Sequence, residues 1–259
     1  MLIIFSALFV ILLLILGKWQ SFRALMSLLG SVFIIAYILI PTLASGYPPV
    51  MVSIAIAVAI LFMAIYFTHG FNRESSVAFL GTVSAVIITG IITYISVKVG
   101  RFTGFGSEEA VFLNLGSSVK FDFVGLLLGG IIIGVLGILD DIAITQVAVV
   151  RELFSANSSL SKKDAYKRAI AVGRDHVGAL VNTLFLAYTG ASLPLLLIFS
   201  TSGINLSSAL SQEMFAAEIV RTIMGSIGLV LTVPITTLFA VFMLFGRESK
   251  NGNHVGHIH

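Results

Sequence analysis

Seven apolar runs constrain this chain more than any other feature. They cover residues 2–16, 24–43, 50–67, 77–97, 123–150, 177–199 and 222–245, most of them near the ~20 residues a helix needs to cross a ~30 Å hydrocarbon layer. In lipid every backbone N–H and C=O must be satisfied within its own segment, so the pattern predicts an all-α polytopic bundle of about seven transmembrane helices. Charged residues are 10% of the 259, against about 25% in a soluble domain. That is too little polar surface for a water-soluble shell, which excludes a soluble core and a nucleic-acid-binding module. The absence of cysteine removes disulfides and thiolate metal sites.

The first run is short and has the apolar length of a signal-peptide core. No basic residue precedes it, however, and Gly17-Lys18-Trp19-Gln20 is not a small-residue cleavage site, so it reads as a helix. With seven spans, eleven Lys and Arg fall on the side of the C-terminal tail and four on the other. The bias places the C-terminus in the cytoplasm and the N-terminus outside. The connections are too short for a folded extramembrane domain. The longest, 98–122, carries Gly100, Gly104, Gly106 and Gly116 and favours turns over a packed core. Residues 1–246 thus read as one transmembrane domain and 247–259 as a solvated cytoplasmic tail, in which His254, His257 and His259 lack the supporting fold of a metal site.

Of 15 basic and 12 acidic residues, Asp140 and Asp141 alone lie in the interior of an apolar run. At ~1.5 Å per residue, Asp141 is ~15 Å along the helix from Arg151, about half the hydrocarbon thickness. A charge at that depth costs ~2.5–3.5 kcal/mol even on the lenient insertion scale, which argues for a function. Desolvation and a neighbouring like charge both favour the protonated form of a carboxyl, the property a proton relay needs. One helical row runs Asp141, Thr145, Ala148, Glu152 and the other Asp140, Ile144, Val147, Arg151. The first is more polar, so Asp141 is expected to face an aqueous or protein-lined path and Asp140 a neighbouring helix.

The sixth run follows Gly173-Arg174-Asp175-His176, and its Asn182 lies ~12 Å from that charged end. Because consecutive spans are antiparallel, Asn182 or Thr183 is expected at the depth of Asp141, as a hydrogen-bond partner. Arg151, Glu152, Arg174, Asp175 and His176 form the expected cytoplasmic charge network. Gly125, Gly129, Gly130, Gly134 and Gly137 suit close helix packing, with four-residue spacing at 125/129 and 130/134. The seventh run carries Thr222, Ser226, Thr232, Thr236 and Thr237, with a kink expected near Pro234. Between runs five and six, Ser161 and Asp164 have capping-box spacing, and Ala165, Tyr166, Ala169 and Ile170 oppose Lys162, Lys163, Lys167 and Arg168, the pattern of a short amphipathic helix at the cytoplasmic face.

From Gly134 to Phe199, through Leu-Asp140-Asp141-Ile-Ala-Ile-Thr-Gln, Val-Arg151-Glu152-Leu-Phe and Asp164-Ala-Tyr-Lys-Arg-Ala-Ile-Ala-Val-Gly173-Arg174-Asp175-His176, the chain resembles the YibE/YibF family of bacterial multi-pass membrane proteins. More distantly, the order of intramembrane Asp, Arg-Glu, amphipathic helix, Arg and a Thr-containing span is similar to the last three helices of SecD/SecF and RND-type transporters. That likeness implies a six-helix core plus one N-terminal helix in the bacterial plasma membrane. It also implies a proton-titrating role for Asp140 or Asp141, with Arg151-Glu152 and then Arg174 and Thr183 matching the flanking motif. RND-type halves carry a large extracytoplasmic domain after their first core helix, where this chain has only the turn from Thr42 to Pro49. A minimal core of this kind is expected to work as a homo-oligomer, or with a related subunit that carries the domain.

The leading expectation is a permease or proton-coupled energising subunit of unknown substrate. The alternative is a non-transporting scaffold or assembly factor acting with a partner. An intramembrane aspartyl protease would need facing carboxyls on two helices, and the chain has neither a further deep acid on another span nor a His-Glu-x-x-His or serine-elbow motif, so an enzyme is not expected. The lipid bilayer is the expected partner, with no metal, cofactor or nucleic acid.

Overall fold

The computed structural model describes residues 1–244, and every regular element among them is helical. The tail, with its three histidines, lies outside the described residues. The helices are α1 (Leu2–Ile34), α2 (Ile40–Ala44), α3 (Pro49–Phe62), α4 (Arg73–Val99), α5 (Glu108–Gly116), α6 (Phe123–Ala156), α7 (Lys162–Ala191), α8 (Leu193–Thr201), α9 (Leu206–Leu210) and α10 (Glu213–Leu244). Single π-helical turns, Ile35–Leu39 and Met63–Phe67, follow α1 and α3. Short polar side chains start most of the long helices. Asn72, Ser107, Asp122 and Ser161 accept from the backbone N–H groups of Ser75, Ala110, Gly125 and Asp164, filling donors the first turn leaves open.

Among the described residues five helical stretches are long and apolar enough to cross a membrane, and a sixth is made by α7 and α8 together across a 62° bend. The count differs from seven for identifiable reasons. The first two runs are parts of one helical stretch, Ile3–Ala44, interrupted where Lys18 takes φ 49° and ψ −128°. No proline or turn cluster lies between them to end the helix. The sixth run bends at Ser192, because Pro194 lacks the N–H that would continue the ladder of α7. The amphipathic segment is not a separate helix. Ser161 does cap it, its Oγ 3.1 Å from the Asp164 N–H, but Arg174-Asp175-His176 contains nothing that stops a helix, and α7 continues through it into the apolar run. Segment 98–122 holds a nine-residue helix, α5, within what reads in sequence as turns. α10 runs as one helix through Pro234.

The core is made by α4, α6 and α10, with α3 packed on α6 and α7 packed on α10 and α6. Leu139, Val135 and Ile131 of α6 and Leu229 of α10 are fully buried there. Small residues let α4 and α10 approach closely, and they do so reciprocally. A Cβ added at Gly81 of α4 would collide with the Thr236 hydroxyl of α10, and one at Gly228 of α10 would lie 2.7 Å from the Thr89 hydroxyl of α4. Each helix thus offers a glycine and, eight residues on, a threonine to its antiparallel neighbour. Both hydroxyl oxygens are buried with no hydrogen-bond partner among the described residues, and each fills the notch of a missing side chain, where weak Cα–H···O contacts recur. Gln146 ties the third side of the core. Its Nε2 donates to the Ala169 carbonyl of α7 (2.7 Å) and the Thr237 hydroxyl of α10 (2.8 Å).

The glycines of α6 divide by face. Gly125 and Gly129 back onto Pro49 and Ser53 of α3, and Gly134 approaches the Tyr188 hydroxyl of α7. Gly130 and Gly137 face open space, so the 130/134 pair is not a packing motif; successive glycines on a helix point in different directions.

Candidate functional site

Asp140 and Asp141 sit at the middle of α6, Asp140 half-buried and Asp141 exposed. Toward the Arg151 end of the same helix, one turn beyond Asp141, a cavity of about 350 Å³ opens between α6 and α4. His69, Asn72, Glu74 and Ser75 line one wall and Ile144, Val147, Ala148 and Arg151 the other. Arg151 closes its outer end, with Nη1 2.8 Å from Glu74 Oε2 and Nη2 2.8 Å from Glu152 Oε1. Ser75 is buried and its hydroxyl has no partner among the described residues.

His69 is placed by the turn that joins the π-helical segment to α4. Gly70, at φ +85°, takes the left-handed conformation a glycine tolerates. Asn72 Nδ2 then bonds the His69 carbonyl (3.0 Å) while Asn72 Oδ1 caps α4. Stacking of Tyr66 on Phe71, 4.8 Å between centroids, and the tilted Phe79 ring hold the turn down. Partial burial and the Arg23 guanidinium of α1 hold the His69 imidazole below its ordinary range, while Asp141, near enough for its charge to be felt, pulls the other way. The imidazole therefore feels a cation on α1 and the Asp141 carboxylate of α6, and it stands on the wall of a polar cavity.

The other expected residues are more scattered. Thr145 is half-buried one turn beyond Asp141. Asn182 is exposed and lines a groove between α7 and α10 with Gly178, Phe185 and Ser226, away from Asp141. Thr183 is exposed, and its hydroxyl bonds the Ala179 carbonyl of its own helix. Equal depth therefore did not produce a contact: α7 turns Gly173 and Leu184 into the bundle and Asn182 to its outside. Within the expected charge network Arg151 pairs with Glu152, and it pairs also with Glu74 of α4. Arg174, Asp175 and His176 are exposed on α7.

Sequence reasoning missed His69, Glu74, Ser75 and Gln146. The signals that could have found them are Gly70 just past an apolar run, the Asn72-x-x-Ser75 spacing of a helix start, and a glutamine inside an apolar run at Gln146. At the opposite end of the bundle, two cavities of about 230 and 540 Å³ share Gly106, Ser107, Glu109, Glu218 and Arg221. Glu213 fixes their rim by accepting from the N–H groups of Thr103 (2.9 Å) and Gly104 (2.6 Å). Gly104 is at φ +82°, and a Cβ there would meet the Phe123 backbone.

No curated protein and no solved structure matches the chain. The family model of YibE/F-like proteins matches residues 5–246, so the chain belongs to the YibE/F-like family.

Proposed function

We propose that this YibE/F-like protein is a proton-coupled permease or energising subunit of the bacterial plasma membrane, with Asp140 and Asp141 as its proton-exchanging groups. The observation that carries this reading is a mid-helix carboxylate pair one turn from a polar cavity that runs toward the Arg151 end of α6. A carboxylate pair in hydrocarbon is costly unless it works. The face carrying His69, Arg151 and the start of α7 is the cytoplasmic one on this reading, following the basic residues.

The stretch Ile3–Ala44, at ~1.5 Å per residue, is ~63 Å long, twice the hydrocarbon thickness. We therefore read Lys18 as the point where a first crossing ends and a second begins. That gives seven crossings, an outside N-terminus and a six-helix core of the RND-like kind. A substrate would move through rearrangement around the pair, in a homo-oligomer or beside a related subunit. A second reading, a non-transporting scaffold, draws on α1, whose Ile4, Phe5, Phe9 and Leu16 are exposed.

The test is proton flux into proteoliposomes carrying an internal pH dye, under an imposed pH gradient. Asp140→Asn and Asp141→Asn are each expected to cut flux at least tenfold while the protein keeps its helical signature. Undiminished flux in both variants would overturn the transport reading and favour the scaffold.

A further inference from the structure

The cavity between α4 and α6 is polar where a membrane bundle would ordinarily be packed tight. Its 350 Å³ is room for about ten water molecules, and a water needs two to four polar partners. Ser75, whose hydroxyl is buried and unpartnered among the described residues, lines it together with Asn72 and Glu74. Two turns of α6 separate Asp141 from Ala148 on the cavity wall, on the row that also carries Thr145. The outer end is held by side chains about 40% exposed, Arg151 and Glu74, so bulk water reaches that ion pair. His69 stands at the cavity wall, near enough to α6 for the charge of Asp141 to act on it.

We propose that this cavity is a water-filled vestibule through which protons pass from the Arg151 face of the bundle to Asp141, with His69 as the relay and the Glu74–Arg151 pair as its outer gate. The inference rests on the reading of the aspartates as proton-exchanging groups and names the route that serves them. In each step a hydronium in the vestibule gives a proton to one imidazole nitrogen and is left as water, while the other nitrogen gives its own proton to the carboxylate; the imidazole is left neutral as its other tautomer. The charged groups around His69 are Arg23 from α1, Asp141 and Arg151 from α6 and Glu74 from α4. Partial burial and the Arg23 guanidinium discourage a lasting imidazolium and Asp141 welcomes a passing one, which suits an imidazole that hands its proton on.

The chain has no cysteine, so single cysteines report water access without background. Ala148→Cys in the full-length protein is expected to react with a charged, membrane-impermeant methanethiosulfonate at least tenfold faster than Val230→Cys, which faces outward from α10, and to do so from the Arg151 face alone. Equal rates at the two positions would overturn the vestibule. For the relay, His69→Ala in proteoliposomes is expected to lose at least fivefold in proton flux, and added imidazole is expected to restore it. Undiminished flux, or a loss that imidazole leaves unchanged, would overturn the relay. Undiminished flux in Asp140→Asn and Asp141→Asn would instead remove the aspartate reading and the route to it together, so the two failures are told apart by which variant keeps its flux.

Discussion

The two flanks of α4 are built on opposite principles. Where α4 meets α10, Gly81, Thr89, Gly228 and Thr236 interlock so closely that an added methyl has nowhere to go. Where the start of α4 meets α6, charged and amide side chains leave a cavity of about 350 Å³. In lipid there is little hydrophobic gain from bringing two apolar helices together, so close van der Waals packing through small residues supplies the attraction. Guanidinium and carboxylate groups cannot pack in that way without water. A tight seam and a polar cavity on one helix give the bundle a close-packed part and an open part, the arrangement on which the proposed proton route rests.

The largest expected effect breaks the seam. Gly81→Val puts branched bulk against Thr236 and is expected to destabilise the bundle by ~2–3 kcal/mol, as overpacking does. The midpoint of chemical unfolding in detergent measures it. Adding Thr236→Ala to Gly81→Val is expected to recover part of the loss, and strictly additive effects would show that the two residues do not share the notch. Gln146→Leu comes next. It removes the donor that ties α6 to α7 and α10, at about 1 kcal/mol by the same measurement.

The smallest effect belongs to the polar flank and depends on pH. Because the folded protein holds His69 below its ordinary value of 6.5, the unfolded chain takes up the proton first as pH falls. Stability attributable to neutral His69 is complete above that value and declines as pH drops below it. His69→Gln is expected to flatten stability against pH in that window by a few tenths of a kcal/mol, consistent with a half-buried group. An unchanged slope would mean that Arg23 and burial do not act on the imidazole.

The class of fold was legible because apolar length and scarce charge act residue by residue. The cap at Ser161 could also be read, since it depends on a neighbour three residues away. What sequence did not reveal was which way a polar face turns. Asn182 and Asp141 were matched in depth along antiparallel helices, yet rotation of α7 about its own axis, set by Gly173 against Gln146 and Val233, sends Asn182 outward. Glu74 is far in sequence from Arg151, and the charge pattern of α6 alone names Glu152 as the partner. The interrupted first helix was hidden for another reason: Lys18 adopts a backbone conformation that no local residue preference predicts.

The most direct test of the central claim is infrared spectroscopy of the protein in lipid, following the stretching band of protonated carboxyl groups across pH. The account predicts a band that appears and disappears reversibly with pH, is lost in the Asp140→Asn, Asp141→Asn double variant, and exchanges with deuterium more slowly in His69→Ala. A spectrum unchanged by the double variant would contradict it.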